Sequence, residues 1–344
     1  MMTILQIVRD FGPVGGMERY VWELCHHLPE QGFRVDVLCE HCHAGPDKSL
    51  TIHEIGGSRF HPRWLSALDF SHRAARWHAR HARPGVLIHS HDTTGFHHVA
   101  TFHGPPFAEI RSRPLWKRIS PRVAANLWIE RRQLLAPSVR AIIPNSEMIA
   151  RKLLRLYPEI APRLEAPILP GVASIPMRDP AQQRKRPHVI GFVGREWKRK
   201  GLDIAVHIVR QMLKDEADLE LVVIGPDPAE IRPLLGNYPG PYRLLGGVDA
   251  SEHYRHFDLL LHPARMEPFG MVIAEALSAG VPVLASDQCG AASILDANSI
   301  LPVNAPLECW VQRGLEKLAR PVTPFRRSWD EVAAEHAELY RRLV

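Results

Sequence analysis

Two carboxylates, Glu267 and Glu275, stand eight positions apart in the stretch "RMEPFGMVIAE" (265–275). Such a pair fits three kinds of behaviour: acid/base catalysis, a clamp on a polar ligand, or no chemistry at all on an ordinary helix. Pro268 disfavours helix at Glu267, and Gly270 permits a tight turn. Val272, Ile273, Ala276 and Leu277 then recur at helical spacing until Gly280 closes the run. The pattern predicts a helix beginning near Gly270, with Glu267 on the loop before it and Glu275 on its second turn. The N–H groups of Phe269, Gly270 and Met271 fall between the two carboxylates, at the positive end of the helix dipole, which is an anion site. Carboxylates on either side of an anion site suit the hydroxyls flanking a diphosphate, as in a nucleotide sugar. Spacing alone leaves solvated surface glutamates as the alternative.

The elements that must carry these groups read as parallel α/β units. "TILQIV" (3–8) is a buried strand, "FGPVGG" (11–16) a glycine-rich loop, "MERYVWELCHHLPEQG" (17–32) a helix closed by Gly32, and "FRVDVLC" (33–39) the next strand. Further strands are expected at 85–90, 97–102 and 139–144. Proline-rich text from Pro158 to Pro187 predicts a connector. Beyond it the alternation restarts, with strands at 188–194, 218–225, 242–248, 258–264 and 281–286, a helix from about Leu202 and a helix over 329–344. The fold class that follows is α/β, two doubly wound Rossmann-like domains facing a cleft where ligands of open sheets bind.

"RMEPFGMVIAEALSAGVPVLASD" (265–287) resembles the signature of retaining glycosyltransferases of family 4, which have the two-domain GT-B fold. The resemblance implies that Glu267 contacts the donor sugar, that Glu275 holds the ribose hydroxyls, and that the backbone of Phe269, Gly270 and Met271 holds sugar and diphosphate. "VGREWKRKGLDIA" (193–205) resembles the family's Gly-Arg…Lys-Gly segment, and implies that Arg195 and Lys200 meet the diphosphate and offset the charge of the leaving group. "FGPVGGMERYVWEL" (11–24) resembles its first Gly-Gly turn, which places Gly15 and Gly16 against the donor. "ATFHG" (100–104) resembles the segment with a His near the reacting carbon, here His103. The terminal "SWDEVAAEHAELYRRL" resembles the family's last helix, which returns to the N-terminal domain. The implied domains are 1–172 (acceptor-binding), 173–322 (nucleotide-sugar-binding) and the helix 323–344. About a dozen residues separate "HSHD" (89–92) from His103, where many members have a longer helix. That short layout is closer to the lipopolysaccharide-core glucosyltransferases of the family and implies a UDP-sugar donor, UDP-glucose among them.

Composition agrees with an enzyme of this kind. The chain has 344 residues, 45% hydrophobic, enough for two cores. It has no run of about 18 uncharged apolar residues, and its first residues lack the charge and length of a signal peptide. Five scattered cysteines fit reduced thiols and a cytoplasmic location. Residues 1–172 carry 22 Lys and Arg against 15 Asp and Glu, while the rest carry 21 against 22, so the first half suits an anionic partner. Arg111, Arg113, Lys117 and Arg118 cluster around Trp116, and Arg73, Arg76, Arg80 and Arg83 could form one helical stripe. Either set is a solvated face or a dock on an anionic membrane, and the family favours the membrane's inner face. Nucleic acid would need a reading or stacking motif, and none stands out.

Other signals lead elsewhere. Cys39 and Cys42, with His41 and His43 beside them, lack the second ligand pair that a structural zinc site needs. No Asp-x-Asp handle for a nucleotide-bound metal occurs, so no metal or cofactor is expected. The histidines of "HSHD" suit polar lining better than metal. Glu40 stands where a dinucleotide-binding protein holds ribose, but Gly12, Gly15 and Gly16 do not make G-x-G-x-x-G, and an NAD oxidoreductase leaves the second half unexplained. The expectation is a metal-independent retaining hexosyltransferase acting on a glycan or anionic glycolipid such as lipopolysaccharide core. The rival is a non-catalytic sugar-nucleotide or lipid-binding module of the same fold.

Overall fold

The structure, a computed structural model, describes residues 2–45, 49–178, 187–215 and 218–344. The chain forms two compact units, Met1–Gly171 with Ser328–Val344, and Val172–Arg327. Each is a parallel sheet with helices on its faces, the α/β class expected from the sequence.

In the first unit the strands are β1 (Met2–Ile7), β2 (Phe33–Cys39), β3 (Thr51–Glu54), β4 (Val86–Ser90), β5 (Val99–Phe102) and β6 (Ala141–Pro144). Their order is β3-β2-β1-β4-β5-β6, all parallel. Ile4, Ile7, Val35, Val37, Leu87 and Ile88 are buried, and such runs need a helical layer over each face. The helices are α1 (Gly16–His27), α2 (Arg63–His81), α3 (Pro121–Leu135) and α4 (Glu147–Leu156). The α1 region was expected to stay helical to Gly32. Pro29 has no N–H to continue the ladder, so the chain tightens into a 3₁₀ turn, Pro29–Gln31, and leaves it at Gly32 with φ +87°. Residues Pro158–Arg163 also form a 3₁₀ helix that buries Ile160, so the connector expected from Pro158 starts later, and its residues 179–186 lie outside the described ones.

The second unit repeats the plan with β7 (His188–Val193), β8 (Leu219–Ile224), β9 (Tyr242–Gly246), β10 (Leu259–His262), β11 (Val283–Ser286) and β12 (Ile300–Leu301) in the order β9-β8-β7-β10-β11-β12. Helices α5 (Leu202–Asp215), α6 (Met271–Ser278) and α7 (Leu307–Leu318) cover it. Phe192, Val206, Met212, Leu221, Leu261 and Trp310 share its core. Strand order reverses between β1 and β4 in one unit and between β7 and β10 in the other. The loops leaving those neighbouring strands diverge, and that opening is where doubly wound sheets hold ligands.

Helix α8 (Trp329–Arg342) belongs to the first unit. Ser328 caps it: its hydroxyl accepts from Glu331 N–H at 3.2 Å while the Glu331 carboxylate accepts from Ser328 N–H at 2.6 Å. Its inner face buries Trp329, Val332, His336 and Tyr340, and Trp329 meets the Tyr20 ring edge-on at 5.3 Å.

Candidate active site

In the second unit, the loops after β7 and β10 are fitted together by glycine. Gly194 has φ +148°, and a Cβ there would lie 2.2 Å from Lys200 Cδ, so the bare backbone lets the lysine stem cross it. Gly201 has φ +78° and sits so close to the Pro263 carbonyl that a Cβ would lie 2.1 Å from its oxygen. Arg265 locks the same loops. Its guanidinium meets both Asp203 oxygens at 2.9 and 2.6 Å and donates to Lys198 O at 2.7 Å. Arg199 donates to Met266 O at 2.5 Å. The sequence assigned no role to Arg199 or Arg265; both sit in quoted motifs, and partners more than sixty positions away could not be seen there.

Glu267 is the focus of this arrangement. Its backbone is fixed by N–H donation to Gln288 O and by acceptance from Gly290 N–H, both at 2.9 Å. The side chain is only 10% exposed, and one oxygen, Oε2, faces Lys200 Nζ at 3.2 Å, His262 Nε2 at 3.5 Å and Arg199 Nη1 at 3.6 Å. Burial would raise this carboxyl, but His262, Lys200 and Arg199 outweigh it and bring it down to about 2. A group so acidic holds no proton near neutrality, so it cannot be a general acid, and it is a poor base. It can accept hydrogen bonds from hydroxyls. Burial pushes the nearby Cys289 thiol up to about 12, which leaves it protonated and inert.

Helix α6 begins one residue after Gly270, which has φ +106°. Phe269 and Gly270 are buried and Met271 is half-buried at this N-terminus. Glu275 lies half-buried on the second turn, and Tyr254 donates to it at 2.7 Å. Arg195 is exposed and makes no ion pair among the described residues. Glu267 and Lys200 are thus brought together, while Glu275 and Arg195 stand at separate positions around the same loops. Tyr254 and His262 were not singled out from the sequence; His262, the last residue of β10, is fully buried and ends an otherwise apolar run.

The first unit holds the remaining groups. Gly15 caps α1, and a Cβ on it would lie 2.2 Å from Glu18 Oε2, which bends over that helix end; Gly16 is the first helical residue and is exposed. His103 follows β5. Its carbonyl accepts from Asn145 at 3.0 Å, and its ring lies 2.9 Å from His91. His89 is fully buried and hydrogen-bonded to Tyr340 and Thr101, while His91 is buried beside His103. A cavity of about 210 Å³ is lined by Met17, His91, Asp92, His103, Phe107 and Ile129, among others. Asp92 accepts from Arg9 N–H at 2.8 Å, and burial raises its carboxyl to about 6.

Arg111, Arg113, Lys117 and Arg118 are all exposed, on a segment that also presents Leu115, Trp116 and Ile119 at 66, 73 and 78% exposure. Arg73 is a correction to the expected stripe. It turns inward to Glu40 and to Asp69 at 2.8 Å and donates to Ile55 O at 3.0 Å, because a carboxylate buried beside it needs a partner; Arg76, Arg80 and Arg83 stay outside. Glu40 is engaged by Arg9 at 2.6 Å and by Arg73, so it is spent in structure rather than free for ribose. Cys39 and Cys42 are free thiols, Cys39 buried. No helix among the described residues is long and apolar enough to cross a membrane.

Comparison with known proteins bears on these loops. A profile described as Glycosyltransferase Family 4 matches residues 14–172, and one described as Glycosyl transferases group 1 matches residues 187–313. The lipopolysaccharide glucosyltransferase WaaG of Escherichia coli K12 is 33% identical over 152 residues, 42% of this chain and 41% of that protein. The phosphatidyl-myo-inositol mannosyltransferase of Mycolicibacterium smegmatis is 26% identical over 333 residues, 86% of this chain and 79% of that one. The crystal structure of WaaG, a glycosyltransferase involved in lipopolysaccharide biosynthesis, aligns with a TM-score of 0.76 at 18% identity, covering 97% of this chain and 95% of its own. Anabaena HepE in complex with UDP-glucose aligns at 0.67 and 17%, covering 98% and 95%. At such identities the structural likeness shows the fold, while the two profiles, which together span well over half of the chain, show the family. The chain belongs to glycosyltransferase family 4 and has its GT-B fold, one parallel α/β domain in each unit.

Proposed function

We propose that this protein is a retaining, metal-independent hexosyltransferase that moves a hexose from a UDP-sugar, UDP-glucose foremost, to a hydroxyl of an anionic glycolipid such as lipopolysaccharide core. The observation that carries the reading is Glu267, a buried carboxylate ionised near neutrality, 3.2 Å from Lys200 and on the loop before α6, whose second turn bears Glu275. In it Glu267 accepts hydrogen bonds from the donor sugar, the N–H groups at Phe269, Gly270 and Met271 hold sugar and diphosphate, and Glu275 accepts from the ribose hydroxyls. The bond from the sugar's anomeric carbon to the diphosphate breaks as the bond to the acceptor oxygen forms on the same face. The departing phosphate oxygen takes the acceptor's proton. Lys200 and Arg195 offset the negative charge that grows on the diphosphate. The likeness to the glucosyltransferase WaaG and the UDP-glucose bound in HepE support the donor class.

The acceptor is reached from the membrane's inner face in this reading. Leu115, Trp116 and Ile119, exposed on one segment with Arg111, Arg113, Lys117 and Arg118, suit insertion into an anionic lipid surface. A panel of nucleotide sugars, assayed for hydrolysis and for transfer to lipopolysaccharide core acceptors with and without EDTA, tests the proposal. UDP-glucose is expected to be used best, to give an α-linked product, and to need no added metal. A β-linked product, or activity abolished by EDTA and restored by Mg²⁺ or Mn²⁺, overturns the mechanism.

A further inference from the structure

Six side chains of the first unit form a single hydrogen-bonded chain. His103 Nε2 lies 2.9 Å from His91 Nδ1, and His91 Nε2 lies 2.9 Å from Gln6 Oε1. Gln6 Nε2 donates to Tyr340 Oη at 3.1 Å, Tyr340 Oη lies 2.6 Å from His89 Nδ1, and His89 Nε2 lies 2.8 Å from Thr101 Oγ1. Gln6, His89, His91, Thr101 and Tyr340 are all buried, and burial pushes His89, His91 and His103 well down, His103 to about 3. The three rings are therefore neutral near pH 7, each with one N–H and one bare nitrogen.

Between Gln6 and His103 such a chain has only one free choice, its direction. Gln6 makes that choice, because its oxygen can only accept and its nitrogen can only donate. His91 must then donate from Nε2 and accept at Nδ1, so His103 must donate from Nε2. On the other side Tyr340 accepts from Gln6, and its own hydrogen finds its acceptor among the described residues in His89 Nδ1, so that His89 donates from Nε2 to Thr101. All three histidines are fixed as the same tautomer. The Nδ1 of His103, which has no partner among the described residues, is left as a bare acceptor on a side chain that lines the cavity.

We propose that Gln6 and Tyr340 are positioning residues that hold His103 in its Nε2–H form, so that its Nδ1 accepts a hydrogen bond from a substrate hydroxyl. The identity of that hydroxyl rests on the glycosyltransferase reading; the tautomer does not. His336 supplies an internal contrast. Its Nδ1 lies 2.9 Å from the Val332 carbonyl and its Nε2 3.3 Å from the Tyr20 hydroxyl, so it carries its proton on Nδ1.

Long-range ¹H–¹⁵N correlation spectra of the intact protein with ¹⁵N-labelled histidine test the arrangement directly. His89, His91 and His103 are expected with the proton on Nε2 and His336 with it on Nδ1. Reversal of the whole chain puts Nδ1–H on all three rings together, and that result, or tautomer averaging at His103, overturns the proposal. Because the spectrum needs no substrate, it is decided separately from any transfer activity. Tyr340→Phe keeps the ring and removes the hydroxyl. It is expected to release His103 into tautomer exchange and to lower kcat about tenfold, the worth of one hydrogen bond, with the donor KM within about twofold. Unchanged kcat in Tyr340→Phe, or a kcat loss with His103 still locked, refutes the positioning role.

Discussion

Three positive or imidazole groups converge on a single oxygen of Glu267, and that convergence decides how the site responds to acid. The carboxyl sits at about 2 in the folded protein against an ordinary 4.5. Its folded value lies below the unfolded one, so the ion's contribution is complete above about pH 4.5 and is lost as pH falls toward 2. The shift corresponds to roughly 2–4 kcal/mol. Glu267→Gln is expected to flatten the dependence of stability on pH in that window by this amount and to cut turnover severely, since a hydroxyl acceptor becomes an amide facing two cations. Urea unfolding at pH 3 and pH 6 measures it; parallel curves for the two proteins contradict the ion's role. At this scale the residue types were readable in the sequence and their partners were not. Glu267 and Lys200 are sixty-seven positions apart, and nothing in "WKRK" says which cation turns inward.

At the scale of elements, Gly270 sets how α6 presents its first N–H groups. With φ +106° it adopts a backbone that side chains strain against, and a Cβ would press on Ile273 and Glu267 at 3.1 and 3.2 Å. Gly270→Ala is expected to cost about 1–2 kcal/mol and to lower kcat/KM for the donor by at least tenfold. Gly236, φ +44° and far from these loops in sequence, controls for strain: Gly236→Ala should lower Tm while sparing kcat/KM. Equal activity losses in both variants would remove the presentation argument. The Pro268 and Gly270 signals made this helix start legible, because both act locally through the backbone. Apolar runs such as "LVVI" and "DLLLHPA" were legible for the same reason that they are buried on both faces. Thr51–Glu54 was not: an edge strand of Thr, Ile, His and Glu is only partly covered and carries no apolar run. Helical periodicity likewise put Arg73 on a face but could not reveal Glu40 waiting beside it.

Across the whole molecule, the excess positive charge lies in the first half, and its most exposed apolar side chains share a segment with four cations. Each Lys or Arg near an anionic surface contributes about 1 kcal/mol, screened within a Debye length of roughly 10 Å at 0.1 M salt. Replacing Arg111, Arg113, Lys117 and Arg118 with Gln is expected to release the protein from vesicles containing anionic lipid and to impair transfer to a membrane-borne acceptor, while slow donor hydrolysis continues. Flotation with vesicles at low salt gives the answer. A quadruple variant that floats like the parent sinks the membrane part of the proposal.

Helix α8 also imposes an order on synthesis. The first unit needs Trp329, His336 and Tyr340 to close over Tyr20 and Gln6, yet these residues are translated only after the entire second unit. At about 5–20 residues per second, the half begun first waits roughly 10–30 s for its closing segment. The contiguous second unit can finish folding in that interval. A nascent chain therefore carries an open, histidine-lined core on its leading half until the trailing end arrives. A chain cut short before residue 328 lacks the tyrosine that fixes His103, even though every residue of the second unit's site is present.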